Sequence, residues 1–123
     1  MSTFNLIGIV LTFIVGIEHI GICFLEIFGK PEMQAKSFDM DVNFLRQKAA
    51  RISMANQGIY NGMLGLLIIL AWFIFPMYYL LIVWQLLLFF IVIVAIFGGF
   101  TATKKIFVVQ MLPALIALIC LLI

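Results

Sequence analysis

Charged side chains are scarce in this sequence. Asp, Glu, Lys and Arg make up 10% of its 123 residues, whereas about 25% is usual in soluble domains. None of the four occurs in residues 52–103 or in residues 106–123, and the mean hydropathy is +1.32. This scarcity excludes an ordinary soluble domain, and it leaves no basic patch of the kind that binds nucleic acid.

Cysteine and histidine are also rare, with two cysteines and one histidine in the chain. Cys23 and Cys120 are expected near opposite faces of a membrane, too far apart for the Cα separation of ~4.4–6.8 Å in a disulfide. The first apolar segment offers one His, one Cys and two Glu, which are too few ligands at the wrong spacing for a zinc site. We therefore predict no metal site, and the sequence identifies no cofactor.

The long apolar runs predict an all-α fold. A membrane-spanning helix needs about 20 mainly apolar residues, so residues 52–103 hold two such helices joined by a turn. We predict one integral membrane domain, residues 1–123, built as a four-transmembrane-helix bundle. Its helices are expected at about residues 4–28, 44–75, 78–100 and 106–123, with a polar loop between the first two.

The Lys and Arg residues lie in two regions of this predicted bundle. Five follow the first helix, and two, Lys104 and Lys105, precede the last one. In a four-helix topology both regions lie on the same side, which by the positive-inside rule is the cytoplasm. We therefore expect a multi-pass membrane protein with both termini outside and the connections 29–43 and 101–105 in the cytoplasm.

Glu18, His19 and Glu26 interrupt the first apolar segment. Such groups are costly inside a membrane and usually face a protein interior or a water-filled cavity. His19 and Glu26 are seven residues apart and share one face of a helix, since each residue turns the helix by about 100°. Glu18 lies one step round from that face, and it needs a partner or a proton.

A polar stripe follows on the second predicted helix. It has the i, i+3, i+4, i+7 spacing of a single helix face and consists of Ser53, Asn56, Gln57, Tyr60 and Asn61. Gln110 falls in the first turns of the fourth helix. Counting rises of about 1.5 Å per residue from the cytoplasmic ends gives these groups, His19 and Glu26 similar depths. We therefore expect them to form one site in the cytoplasmic half of the bundle.

Each of these features has a structural alternative. The amides could join helices, at about 0.6 kcal/mol each on average. His19 could be a neutral imidazole hydrogen-bonded to Glu26 or to an amide, and Glu26 could pair with Lys30, its i+4 neighbour. Gly58 and Gly62 form a small-xxx-small pair that lets another helix approach closely, either within the bundle or from a second copy.

Three segments of the sequence resemble a known family. They are Glu18-His19 with Leu25-Glu26, the stretch Ala55-Asn56-Gln57-Gly58-Ile59-Tyr60-Asn61-Gly62, and the stretch Lys105-Ile106-Phe107-Val108-Val109-Gln110-Met111-Leu112-Pro113-Ala114. The sequence is similar to small four-span membrane proteins of bacteria and fungi grouped as domain of unknown function 1304, some of which are described as "epimerase". The resemblance covers nearly the whole chain and implies the fold, a location in the bacterial plasma membrane and these motifs, with no established activity.

Three functions are compatible with this pattern. The leading hypothesis is a pocket for a small polar or amphipathic ligand, with isomerase-like proton transfer if the protein is an enzyme. His19 and Glu26 are then the candidate catalytic pair, and the candidate ligand-binding residues are Glu18, Asn56, Gln57, Tyr60, Asn61 and Gln110. The alternatives are a proton-coupled transporter or channel for a small solute or ion, acting as a homo-oligomer, and an accessory membrane subunit. The expected partners are membrane lipids and an unidentified small molecule.

Overall fold

The chain forms six α-helices and one π-helical segment in the computed structural model, which describes residues 1–123. In chain order they are α1 (Thr3–Phe28), α2 (Pro31–Phe38), α3 (Val42–Arg46), α4 (Lys48–Ile74), α5 (Met77–Thr101), the π-helical segment (Phe107–Met111) and α6 (Leu112–Leu122). There are no strands, so the predicted all-α class is confirmed.

Local chemistry sets the ends of the long helices. The hydroxyl of Ser2 accepts a hydrogen bond from the Asn5 N–H at 3.0 Å, which satisfies one of the free N–H groups at the start of α1. α1 ends at Phe28 with Gly29 as its cap, and Pro31 then occupies the first position of α2, where its missing N–H costs nothing. Pro76 makes the turn from α4 to α5.

Three helices are long and apolar enough to cross a membrane: α1, α4 and α5, with 26, 27 and 25 residues. At ~1.5 Å per residue each is ~37–40 Å long, which exceeds the ~30 Å hydrocarbon core of a bilayer. The fourth apolar region, Phe107–Leu122, is shorter. The four-span count and the orientation in the membrane therefore stay predictions.

The connection after α1 contains more helix than predicted. The segment predicted as a polar loop includes α2, and the second predicted helix is divided into α3 and α4 at Gln47, whose backbone is extended. Gln34 of α2 is buried, and its amide donates to the carbonyls of Leu25 and Glu26 at 2.9 and 3.1 Å. Both carbonyls lie in the last turn of α1; that of Leu25 also accepts from the Gly29 N–H at 2.9 Å, and carbonyls at this end of a helix otherwise lack partners within it. The polar composition of α2 therefore serves a tertiary contact.

α1 and α4 pack with their backbones touching. Gly65 lies against the carbonyl oxygen of Gly16, so that a Cβ on Gly65 would overlap it. A Cβ on Gly58 would lie 2.9 Å from Cβ of Glu26, and one on Gly62 would also overlap α1. The small-xxx-small pair thus packs within the chain, and this face is not available to a second copy.

The other helices close the bundle on one side. α6 packs between α1 and α5, and Gln85 of α5 donates to the carbonyl of Leu121 at 2.9 Å. Near the turn, α5 is joined to α4 by the fully buried Trp84, whose indole N–H donates to the Ile68 carbonyl at 2.8 Å. Trp84 also stacks on Trp72, with ring centroids 6.0 Å apart. Away from this turn, a cavity separates α4 from α5.

Candidate functional site

The cavity between α1, α4 and α5 has a volume of about 780 Å³, within the range of ~300–1,000 Å³ usual for ligand pockets. It lies toward the end of the bundle that holds the Lys and Arg residues, called here the basic end. Of its 22 lining residues 14 are hydrophobic, so a few polar groups lie in mainly apolar surroundings. This composition is typical of small-molecule sites, where the polar groups orient the ligand.

Most of the predicted site residues line this one cavity. They are His19 and Glu26 from α1, Gln57, Tyr60 and Asn61 from α4, and Gln110 from the π-helical segment. Glu18 and Asn56 do not line it, because each lies one helical step away from a lining neighbour and therefore faces another direction. The structure thus brings together polar groups from three separate segments of the chain.

Glu26 is held by the helix opposite. Its side chain is buried, and Oε1 accepts a hydrogen bond from Asn61 Nδ2 at 2.6 Å. The structure contains no ion pair between Glu26 and Lys30, because α1 ends at Phe28 and Lys30 is in the extended segment that follows. The predicted alternative of an i+4 pair is therefore wrong.

His19 is buried and bonded to its own helix. Its Nδ1 lies 2.8 Å from the carbonyl oxygen of Val15, and since a carbonyl only accepts, Nδ1 is the donor. In the neutral imidazole this leaves the Nε2 lone pair as the acceptor. The predicted bond between His19 and Glu26 or an amide is absent from the structure, because seven residues separate His19 from Glu26 by ~10 Å along the axis.

The remaining α4 residues differ in position. Tyr60 is 73% exposed, and Gln57 is exposed beside it, so both lie at the rim of the cavity. Asn61 is half-buried deeper inside. Asn56 is exposed on the outer surface of α4, where a membrane helix normally presents apolar side chains.

Glu18 is a second unusual group. It is half-buried, and its Oε1 is fully covered without any hydrogen-bond partner. A buried carboxyl oxygen of this kind costs free energy unless it is paired. The structure separates Glu18 from the cavity, although the sequence grouped it with the ligand-binding residues.

A set of bonds at the basic end was not predicted from the sequence, and we call it the Asp39 clasp. The Asp39 carboxylate accepts hydrogen bonds from the Thr103 hydroxyl and from Lys105 Nζ, the latter at 3.0 Å. Lys105 Nζ also donates to the Lys36 carbonyl at 2.7 Å. These bonds hold the pKa of the Asp39 carboxyl below its usual range, the Thr103 hydroxyl being the larger cause. Asp39 has a left-handed backbone, with φ of 54°, which Asp tolerates better than most residues.

The clasp joins two connections that border the cavity. Phe38 and Met40, on either side of Asp39, line the cavity together with Thr103. The local signal was an Asp after a short amphipathic segment, but its partners lie 64 and 66 residues further along the chain. The sequence indicates Lys105 as a topology determinant and a phospholipid contact, and the structure adds this bonding role.

These features define an all-helical protein with three long apolar helices and a cavity lined by polar groups from several of them. The chain belongs to the family described as "Protein of unknown function (DUF1304)", whose profile matches residues 13–122. It is similar to "Uncharacterized protein YpaA" of Lactococcus lactis subsp. lactis (strain IL1403), with 37% identity over 116 residues that cover 94% of this chain and 96% of that protein. No solved structure matches the chain. The resemblance noted in the sequence is confirmed.

Proposed function

We propose that this protein binds a small polar or amphipathic molecule in the cavity, as a four-span protein of the bacterial plasma membrane. The ligand contacts would be His19, Glu26, Gln57, Tyr60, Asn61 and Gln110. The supporting observation is that polar groups from α1, α4 and the π-helical segment line one cavity. Helix-to-helix contact accounts for the Asn61–Glu26 bond, but it does not account for Gln57 and Tyr60 at the rim.

In this proposal the basic connections lie in the cytoplasm and both termini lie outside. The basic end holds all seven Lys and Arg residues, and the positive-inside rule assigns such an end to the cytoplasm. The cavity would then occupy the cytoplasmic half of the bundle. Its ligand would come from the cytoplasm or from the inner leaflet.

The chemistry we propose is proton transfer to and from the ligand. His19 Nε2 has a free lone pair once Nδ1 is bonded to Val15, so it can accept a proton as a general base. Asn61 occupies Oε1 of Glu26, which leaves Oε2 for the ligand, and a protonated Glu26 would return a proton at a second position. Because His19 and Glu26 do not bond to each other, the ligand would have to reach both groups.

The test is retention of a co-purified molecule. The protein would be purified in mild detergent, and bound small molecules would be extracted and identified by mass spectrometry. We expect His19→Ala combined with Asn61→Ala to lower the bound amount at least tenfold. Asn56→Ala is the matched control, since it removes an amide from the same helix outside the cavity. Equal retention by the double variant and the wild type would contradict the proposal.

Proton-coupled transport is the second candidate, and Glu18 supports it. Its covered, unpaired carboxyl oxygen lies within an apolar helix, and intramembrane carboxyls often take part in proton relays. Transport would need a homo-oligomer, for which the exposed Asn56 is a candidate contact because Gly58 and Gly62 are occupied by α1. Proton or solute flux into proteoliposomes that Glu18→Gln abolishes would support transport, and no flux at any pH would remove it.

A further inference from the structure

The cavity opens sideways, between α4 and α5. Its walls include Met63 and Leu67 of α4 and Phe90, Val94 and Phe97 of α5. All five are also exposed, Phe97 to 71%. Apolar side chains that line the cavity and are this exposed mark the place where the cavity reaches the outside, which we call the α4–α5 seam.

Packing of the helices explains why the opening lies at this seam. α4 packs on α1, α1 on α6, and α6 on α5, so three sides of the bundle are closed by helix contacts. α4 and α5 are joined near the turn by the bond from Trp84 to Ile68. Beyond that bond the cavity separates the two helices, and the apolar residues of the seam would face acyl chains in a membrane.

The basic end of the cavity is covered instead. Phe38, Met40 and Thr103 line the cavity there, and the Asp39 clasp ties their two connections together. A ligand arriving at this end would have to pass the clasp. A ligand arriving through the seam would pass mostly apolar side chains, with Gln57 and Tyr60 at the rim.

The polar groups of the cavity indicate the kind of head group. No Lys or Arg lines the cavity, so an anionic phosphate or carboxylate would lack the cation that normally binds it. The polar lining consists of one carboxyl, one imidazole, amides and hydroxyls, from His19, Glu26, Gln57, Tyr60, Asn61, Thr101, Thr103 and Gln110. Groups of this kind exchange hydrogen bonds with uncharged hydroxyls.

We propose that the ligand is a membrane amphiphile with an uncharged, hydroxyl-bearing head group, which enters from the bilayer through the α4–α5 seam. This inference rests on the proposed function, because it uses the same polar residues. The head group lies against His19, Glu26 and Asn61. The hydrocarbon chain lies along the seam, between Leu67 and Val94.

The test is photolabelling of the full-length protein in lipid nanodiscs. The probe is a monoacylglycerol with a diazirine in its acyl chain, and the labelled peptides are identified by mass spectrometry. We expect labels on the seam residues of α4 and α5, and competition by unlabelled monooleoylglycerol. Lysophosphatidic acid and an alkylamine of the same chain length are expected to compete at least tenfold less well. Competition by either charged lipid equal to that by monooleoylglycerol would overturn the head-group assignment, and competition by free glycerol would overturn entry from the bilayer.

Paired tryptophan variants test the seam itself. Val94→Trp narrows the seam, whereas Ile93→Trp places the same bulk on the next residue, which is equally exposed (both 51%) but does not line the cavity. Val94→Trp is expected to reduce labelling at least tenfold, and Ile93→Trp to leave it unchanged. Leu67→Trp and Leu66→Trp repeat the comparison on α4, in case one variant fails to fold as judged by gel filtration.

The outcomes separate this inference from the proposed function. Suppose that the two members of each tryptophan pair are labelled to the same extent while the His19/Asn61 double variant loses its co-purified ligand. In that case entry through the seam is wrong, and the proposed binding site is still supported. If the double variant retains its ligand and labels like the wild type, the site itself is wrong and the inference fails with it.

Discussion

Asn61 and Glu26 are joined by a hydrogen bond of 2.6 Å between helices α4 and α1, across 35 residues of sequence. The bond forms because Gly58 and Gly62, on the same side of α4, allow the two backbones to approach closely. It fixes one carboxyl oxygen of Glu26 inside the cavity. The helix contact and the candidate site are therefore built by the same residues.

Removal of the Asn61 amide is expected to destabilise the fold. Asn61→Ala leaves the buried Glu26 carboxyl without its donor, which costs about 1–3 kcal/mol. The free energy of unfolding would be measured by SDS titration in micelles. Asn56→Ala, on the exposed side of the same helix, is expected to change it by less than about 0.5 kcal/mol. Equal effects of the two variants would contradict the assigned role of the bond.

Gly65→Ala is expected to push α1 away from α4. Its Cβ would overlap the Gly16 carbonyl oxygen, and overpacking of this kind costs about 1–3 kcal/mol. Gly21→Ala is the matched control, since a Cβ there meets nothing within 4 Å and alanine favours a helix by about 0.5–1 kcal/mol. Thermal unfolding in detergent should show a lower Tm for the first variant and an equal or higher Tm for the second. A lower Tm for both variants would contradict the role given to the contact between Gly65 and Gly16.

The Asp39 clasp is expected to weaken in acid. The pKa of Asp39 is lowered in the folded protein, so its stabilising effect is complete above the unfolded value of about 4 and is lost as the pH falls through the folded pKa. Hydrogen exchange of residues 101–106, corrected for intrinsic rates, should therefore be constant from pH 7 to about 4 and rise below that.

Asp39→Asn tests the assignment of this pH dependence. It removes the titrating group, so exchange of residues 101–106 should be faster at pH 7 and should no longer rise in acid. Asp41→Asn removes a carboxylate from the same connection, one that caps α3 and does not bond to Thr103 or Lys105. If the Asp41 variant lost the acid response and the Asp39 variant kept it, the pH dependence would belong to Asp41, and its assignment to Asp39 would be contradicted.

Trp84→Phe is expected to loosen the joint between α4 and α5. It removes the indole bond to the Ile68 carbonyl, a hydrogen bond that contributes about 0.5–1.5 kcal/mol, and it leaves a smaller ring in the fully buried site of Trp84. Trp72→Phe removes a partly exposed ring of the same stack and should cost less. The comparison would be made by SDS titration, and a larger loss for Trp72→Phe would contradict the role given to Trp84.

Sequence patterns predicted the helices well because composition determines them. An uncharged run that is long enough to cross a bilayer is expected to be helical, because a helix satisfies its backbone hydrogen bonds internally. The turn at Pro76 and the end of α1 near Gly29 follow from residues that cannot continue a helix. α2 was missed because its polar composition is typical of a loop, and its stabilising contact through Gln34 is tertiary.

The candidate site was predicted in part. Periodicity grouped His19 with Glu26 and Gln57 with Asn61, and these residues line the same cavity. It also included Asn56, because a stripe drawn on a helix has no sharp edge and one residue step turns the helix by about 100°. Glu18 was included as a costly carboxyl within an apolar segment, although it lies one step round from the face of His19 and Glu26. Hydrogen-bond partners were harder to predict. Glu26 accepts from Asn61 on another helix, whereas His19 donates to the Val15 carbonyl of its own helix.

The glycine contacts of α1 with α4 have a mechanical consequence. Because their backbones are in direct contact, α1 and α4 cannot separate without creating a void. This pair is therefore expected to move as one rigid unit. Relative motion of the helices is then expected mainly at the opposite edge of the bundle, where the Trp84 bond joins α5 to α4.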